Sequence, residues 1–90
     1  MNITFSDGPP NHIVERECLE FEAYADGTPV SCSISIEALI GPDKDLDRAR
    51  IEFEIKKEDV HRVAKSLITK GEFIKGEIAI TTASFRDMTE

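Results

Sequence analysis

The feature that most constrains this chain is Asp26-Gly27, set in the middle of the stretch Cys18 to Ile36, CLEFEAYADGTPVSCSISI. A two-residue turn needs positive φ at both central positions, which Gly adopts freely and Asp tolerates. With the bend there, Ala25 faces Thr28, and counting outward places Ala23 opposite Val30, Phe21 opposite Cys32 and Leu19 opposite Ile34 on one side of the pleat. The other side pairs Glu22 with Ser31, Glu20 with Ser33 and Cys18 with Ser35, with Tyr24 beside Pro29, and reads as solvent-facing. A slip of one residue would move Leu19, Phe21 and Ile34 into water, so turn and pattern specify one register.

That register separates the two cysteines. Cys18 falls on the polar side and Cys32 on the apolar side, so their Cβ atoms diverge and no disulfide can bridge them. Free thiols fit a reducing compartment. Cys32, between Val30 and Ile34, reads as a small buried hydrophobe, and no neighbour in sequence supplies the cation or histidine that a nucleophilic thiol needs.

Upstream of the hairpin, Asn2 to Phe5 is a short strand candidate, ended by the loop Ser6-Asp7-Gly8-Pro9-Pro10. A second short strand, His12 to Glu15, turns through Arg16 and Glu17, which do not favour positive φ, so this turn is expected to be looser than two residues. Downstream, Ser35 can cap a short helix over Ile36 to Ile40, stopped by Gly41-Pro42. The segment Asp43 to Lys70 supports two readings. Leu46, Ala49, Phe53, Lys56, Val60, Val63 and Leu67 recur at spacings of three and four, the stripe of an amphipathic helix from about Asp45 to Lys70, with Lys56 as its only polar member. Arg50 to Lys56 also alternates at period two, as a strand would. From Glu58 to Lys70 both readings give a helix, with acidic residues at its start and Lys70-Gly71 at its end. Lys75-Gly76 is a turn, Glu77 to Thr82 a strand, and Ser84 to Glu90 is expected to fray.

The expected architecture is therefore α+β: an antiparallel meander sheet of four to five short strands packed by one long helix, plus a short helix after the central hairpin. Ninety residues make one domain, expected to span 1–85 with a flexible C-terminal tail at 86–90. The start MNITFSDGPP lacks the basic and apolar regions of an export signal, and no apolar run approaches the roughly 20 residues of a membrane-spanning helix, so a cytoplasmic location is the default.

The residues that build these elements also resemble a known family. The Asp-Gly hairpin followed by Val30-Ser31-Cys32-Ser33-Ile34-Ser35-Ile36-Glu37-Ala38-Leu39 is similar to the cysteine-and-serine block of the small bacterial proteins grouped as domain-of-unknown-function family 1488. The later Phe53, Val60, Ala64, Leu67 and Ile68, and the ending Ile78 to Phe85, are similar to it as well. The resemblance implies an α+β fold with a continuous helix over 45–70. It brings no established activity, cofactor or catalytic residue, and some members carry a loose regulator label.

Charge and motifs narrow the function classes. The net charge is -7, and residues 1–42 hold one arginine against seven carboxylates, a surface that disfavours nucleic acid and anionic lipid. No CxxC, HxxxH or HExxH spacing or Gly-rich phosphate loop occurs. His61 falls one position off the apolar stripe and reads as a solvated helix histidine; His12 would share the core-facing side with Phe21 as a hydrogen-bonded strand histidine. Glu20 and Glu22 share a face as solvating carboxylates, and Ser31, Ser33 and Ser35 lack the G-x-S-x-G setting of a nucleophile. No catalytic, cofactor-binding or metal residue is assigned. The expectation is a non-enzymatic protein-interaction or regulatory module. The alternative is a nucleic-acid-associated transcriptional regulator using Lys56, Lys57, Arg62, Lys65 and Lys70, which lack adjacent aromatic stacking residues. Four short strands and one helix can leave either a sheet edge or an apolar helix flank, including Ile51 and Ile55, uncovered, and a symmetric homodimer is the commonest way to cover such a surface.

Overall fold

A computed structural model describes residues 1–42 and 45–89. The central hairpin pairs β3 (Cys18–Ala25) with β4 (Thr28–Ser35) in the expected register, from Ala25 with Thr28 to Cys18 with Ser35. Asp26 and Gly27 both take positive φ, 51° and 85°. The Asp26 side chain accepts the Asn2 amide (2.8 Å), while the Asp26 amide donates to the Asn2 carbonyl (2.7 Å), so the turn also anchors the first strand. That strand, β1 (Ile3–Phe5), and β2 (Asn11–Ile13) both pair antiparallel with β3, along its two halves. The β2–β3 connection is the looser turn that Arg16 and Glu17 implied: Val14–Arg16 forms a 3-10 turn and Glu17 takes φ 47°.

β2, β3 and β4 thus match the expected meander, whereas β1 pairs with β3 rather than with β2, and the fifth strand differs as well. β5 (Ile78–Ile80) pairs parallel with β4, opposing Cys32 to Ile34. The reason is the connection: the helices between β4 and β5 form a crossover, which returns the chain in the direction it left. The strand is also shorter than expected, because Thr82 already belongs to a helix.

Each helix starts and stops on identifiable chemistry. α1 (Ile36–Ile40) is capped by the Ser35 hydroxyl, which accepts from the Ala38 amide (3.1 Å), and it ends at Gly41 with φ 75°. Asp45 caps α2 (Leu46–Ile55) by accepting from the amides of Asp47 and Arg48 at 3.1 and 3.3 Å. α3 (Lys57–Lys70) closes at Gly71, which is left-handed. Arg50 to Lys56 is therefore helical rather than a strand up to Ile55, and Lys56 is a joint. Its amide donates to the Glu52 carbonyl, and its own carbonyl accepts from Val60, each at 2.9 Å, so helical bonding crosses the joint. Lys56 interrupts the apolar stripe for a reason: its ammonium donates to the Leu39 carbonyl (3.1 Å) at the end of α1 and lies 3.4 Å from Glu52. It satisfies a terminal helix carbonyl that has no partner within its own helix.

The chain end departs from the expected frayed tail. Thr82–Thr89 forms α4, with Phe85 buried in the core and Met88 packed against it. Thr81 and Ser84 cap it reciprocally: the Ser84 amide donates to the Thr81 hydroxyl (3.2 Å) and the Thr81 amide to the Ser84 hydroxyl (2.9 Å), the geometry of a capping box. Glu90, the last residue of the expected tail, and Asp43-Lys44 lie outside the described residues.

One core joins these layers. Leu19, Ala23, Val30, Cys32 and Ile34 from the hairpin and Ile78 and Ile80 from β5 meet Leu39, Ala49, Phe53, Val60, Val63, Ala64, Leu67 and Ile68 from the helices. On the opposite side of the sheet Glu22 and Ser31 are exposed.

Candidate functional site

The two thiols lie on opposite sides of the hairpin, free and buried. Cys32 sits in the core, where burial pushes its pKa up to about 12, and its thiol is 3.8 Å from the Val30 carbonyl. A thiol so far from ionisation is a poor nucleophile. Cys18 corrects the reading of its side as solvent-facing, since it is only 5 % exposed. Ser33 beside it is likewise buried, and Cys18 lies within electrostatic reach of Arg16, Glu20 and Glu77. Arg16 extends from the 3-10 turn to Glu77 (3.1 Å), and both partners lie within electrostatic reach of Cys18. Burial is the main cause of the raised Cys18 pKa, with Arg16 working against it.

The histidines also separate. His12 pairs with Leu19, so it occupies the core-facing side of the sheet, half-buried. It lines a cleft of about 300 Å³ together with Val14, Arg16, Ser35, Glu37 and Pro42. Within that cleft the Ser35 hydroxyl is engaged as the α1 cap and Arg16 as the partner of Glu77. His61 is not the solvated helix residue its position off the stripe implied. Its ring stacks on Phe5, with centroids 4.0 Å apart and planes 3° from parallel, and Phe21 lies 5.9 Å away. The cause is β1, which carries Phe5 over the α3 face. Burial lowers the His61 pKa, Lys57 lowers it further and Glu54 opposes them.

Glu22 is exposed and accepts a short hydrogen bond from the Tyr24 hydroxyl, while Glu20 is half-buried. A second, polar cleft of about 230 Å³ brings both carboxylates beside Ser6, Asn11 and Ser31. Among the described residues no group of three or more His, Cys, Asp or Glu side chains is placed to hold a metal ion. Of the basic residues on the long helix, Arg62 pairs with Asp59, and Lys56 is held by Glu52 and Leu39. Among the described residues no helix is long and apolar enough to cross a membrane.

What the core leaves uncovered is more distinctive. α2 buries Ala49 and Phe53, yet Ile51 is 60 % and Ile55 69 % exposed. Residues two apart on a helix lie about 200° apart, so the alternation Ile51, Phe53, Ile55 sends Phe53 inward and both isoleucines outward. Ile51 and Ile55 are themselves one turn apart and adjacent on the surface. Scattered exposed hydrophobics are ordinary, but a paired apolar stripe on an otherwise charged helix is the kind of patch that marks a contact surface.

A single layer of helices on one face of a mixed five-stranded sheet, with buried thiols and an apolar stripe left on the outer helix, defines a small α+β domain. The chain belongs to the family described as protein of unknown function (DUF1488), whose model matches residues 3–80. It is similar to the crystal structure of a protein of unknown function from that family in Shewanella loihica PV-4, with a TM-score of 0.76 and 25 % identity over 89 % of this chain and 94 % of that one. No curated protein matches the sequence.

Proposed function

We propose that this chain is a protein-interaction module that carries out no chemistry of its own and makes its contact through the outer face of α2. The observation that supports this reading is the exposure of Ile51 and Ile55 on a helix whose other side is fixed in the core. Covering a largely exposed isoleucine contributes on the order of 1–2 kcal/mol, so the pair offers a partner a real but modest gain. The thiols, by contrast, are buried and held above the ordinary thiol pKa, which supports a reading without thiol chemistry. Basic side chains on the long helix are in part compensated by Asp59 and Glu52, so no observation favours the nucleic-acid reading over this one.

The test is affinity capture with immobilised wild-type chain and with the Ile51→Glu/Ile55→Glu variant. The expected result is a partner held by the first and lost by the second, with the circular dichroism of the two chains unchanged. A set of captured proteins indifferent to the substitutions, together with turnover found in a substrate screen, would refute the proposal.

A further inference from the structure

Four exposed residues run along the outer face of α2 and into the first turn of α3: Arg48, Ile51, Ile55 and Glu58. Their spacings are three, four and three, the seam of a helix that packs against another helix. The order is self-complementary. Reversing the direction of a second helix about the level of Phe53 exchanges Ile51 with Ile55 and Arg48 with Glu58. The apolar pair then meets itself while each end sets a cation against an anion. Helical hydrogen bonding continues across Lys56, from its amide to Glu52 and from Val60 to its carbonyl (each 2.9 Å), so the stripe is carried past the joint.

From this symmetry we propose that the occupant of the α2 face is a second copy of the chain, paired antiparallel along α2 about a two-fold axis at the level of Phe53. The inference rests on the contact face proposed above and specifies its partner. A two-fold contact requires that whenever one residue touches a second, the second touches the first across the axis, and the Arg48–Ile51–Ile55–Glu58 pattern meets that condition. A parallel two-fold pairing meets it as well, but would set Arg48 on Arg48 and Glu58 on Glu58, like charge against like, so the charges select the antiparallel arrangement. The buried patch is small, below about 1,200 Å² in total, so the dimer is weak, forming at roughly 100 µM and dissociating at roughly 1 µM. Each copy carries a net charge of -7, and about 0.15 M salt screens that long-range repulsion to about 8 Å.

Sedimentation equilibrium of the whole chain across that concentration range tests the pairing. Wild type should show a monomer–dimer equilibrium, and both Ile51→Glu/Ile55→Glu and the milder Ile51→Ser/Ile55→Ser should be monomeric with unchanged circular dichroism. Arg48→Glu and Glu58→Arg should each weaken association, by about tenfold when two symmetry-related pairs turn from attractive to repulsive. Mixed one to one, these two variants should form a heterodimer tighter than either alone, since every end pair is again of opposite sign. A chain that is monomeric throughout, a dimer indifferent to the isoleucine substitutions, or charge variants that do not rescue one another would overturn the pairing. The two proposals fail separately. A monomeric chain whose captured partner still depends on Ile51 and Ile55 removes the second copy and keeps the contact face, whereas captured partners indifferent to those residues remove the face.

Discussion

Replacing Gly27 with alanine isolates the backbone demand of the central turn. Gly27 has φ 85°, and a Cβ built there would meet nothing within 4 Å, so the substitution introduces strain without a clash. Holding an L-residue in the left-handed region costs about 1–2 kcal/mol, and alanine recovers about 0.4–1 kcal/mol by restricting the unfolded chain. The net loss is about 1 kcal/mol, against a total stability of about 5–13 kcal/mol for a domain of this size. Gly8 supplies the control: its φ is not in the left-handed region, and a Cβ there would meet only the Ser6 hydroxyl at 3.9 Å. Gly8→Ala should stay within about 0.5 kcal/mol of wild type. Thermal unfolding would then place Gly27→Ala about 4–8 °C below wild type. Because Asp26 holds Asn2 through two hydrogen bonds, amide exchange should rise first in β1, while the β3–β4 pairs stay protected. Equal melting temperatures for Gly27→Ala and Gly8→Ala would refute the argument, as would a loss above about 3 kcal/mol, which needs lost packing rather than a strained turn.

Three further outcomes follow from the buried groups. His61 binds its proton less readily in the fold than in the unfolded chain, because of burial and Lys57. Its stabilising contribution is therefore full above the unfolded value of 6.5 and is lost as pH falls below it. The melting-temperature difference between wild type and His61→Gln should shrink in that acid window, and a pH-independent difference would refute the assignment. Neither thiol should react with an aromatic disulfide reagent in the native protein at pH 8, and both should react on unfolding. Arg16→Ala should expose Cys18 and leave Cys32 protected, which thiol mapping by mass spectrometry would show. Phe85, 6 % exposed, ties α4 to the core, so Phe85→Ala should cost about 3–5 kcal/mol; a urea midpoint unchanged from wild type would mean that α4 is not part of the cooperative unit.

The hairpin was legible because two independent constraints coincide in it. Positive φ at Asp26 and Gly27 sets the bend, and the alternation Leu19, Phe21, Ala23 admits only one pairing, so each partner could be counted. Elsewhere one of the two constraints is missing. Ile78-Ala79-Ile80 has strand chemistry but no adjacent turn to a partner, so its parallel alignment with β4 depends on where the crossover helices lie. The capping pair Thr81 and Ser84 was a readable signal for α4, hidden because Thr81 and Thr82 also favour strand and extend the Ile78–Ile80 pattern. Cys18 and His61 are different again. The Arg16–Glu77 pair lies within electrostatic reach of Cys18 and the Phe5 ring stacks on His61, and neither neighbour is visible from the periodicity around the buried residue.

The segment that resisted assignment is also the one that carries the proposed contact. Arg50 to Lys56 alternates as a strand does, and within a helix such alternation must place apolar side chains on two opposed faces. Burial of Ala49 and Phe53 already fixes the inner side of α2, so the core places no demand on Ile51 and Ile55. On the contact proposed above, the competing strand and helix patterns correspond to two separate demands on the same residues, packing inward at Phe53 and contact outward at its neighbours. Local conflict of this kind is expected where a sequence meets a requirement beyond its own fold. The outward demand is what the isoleucine substitutions remove, and the inward one is what they leave in place.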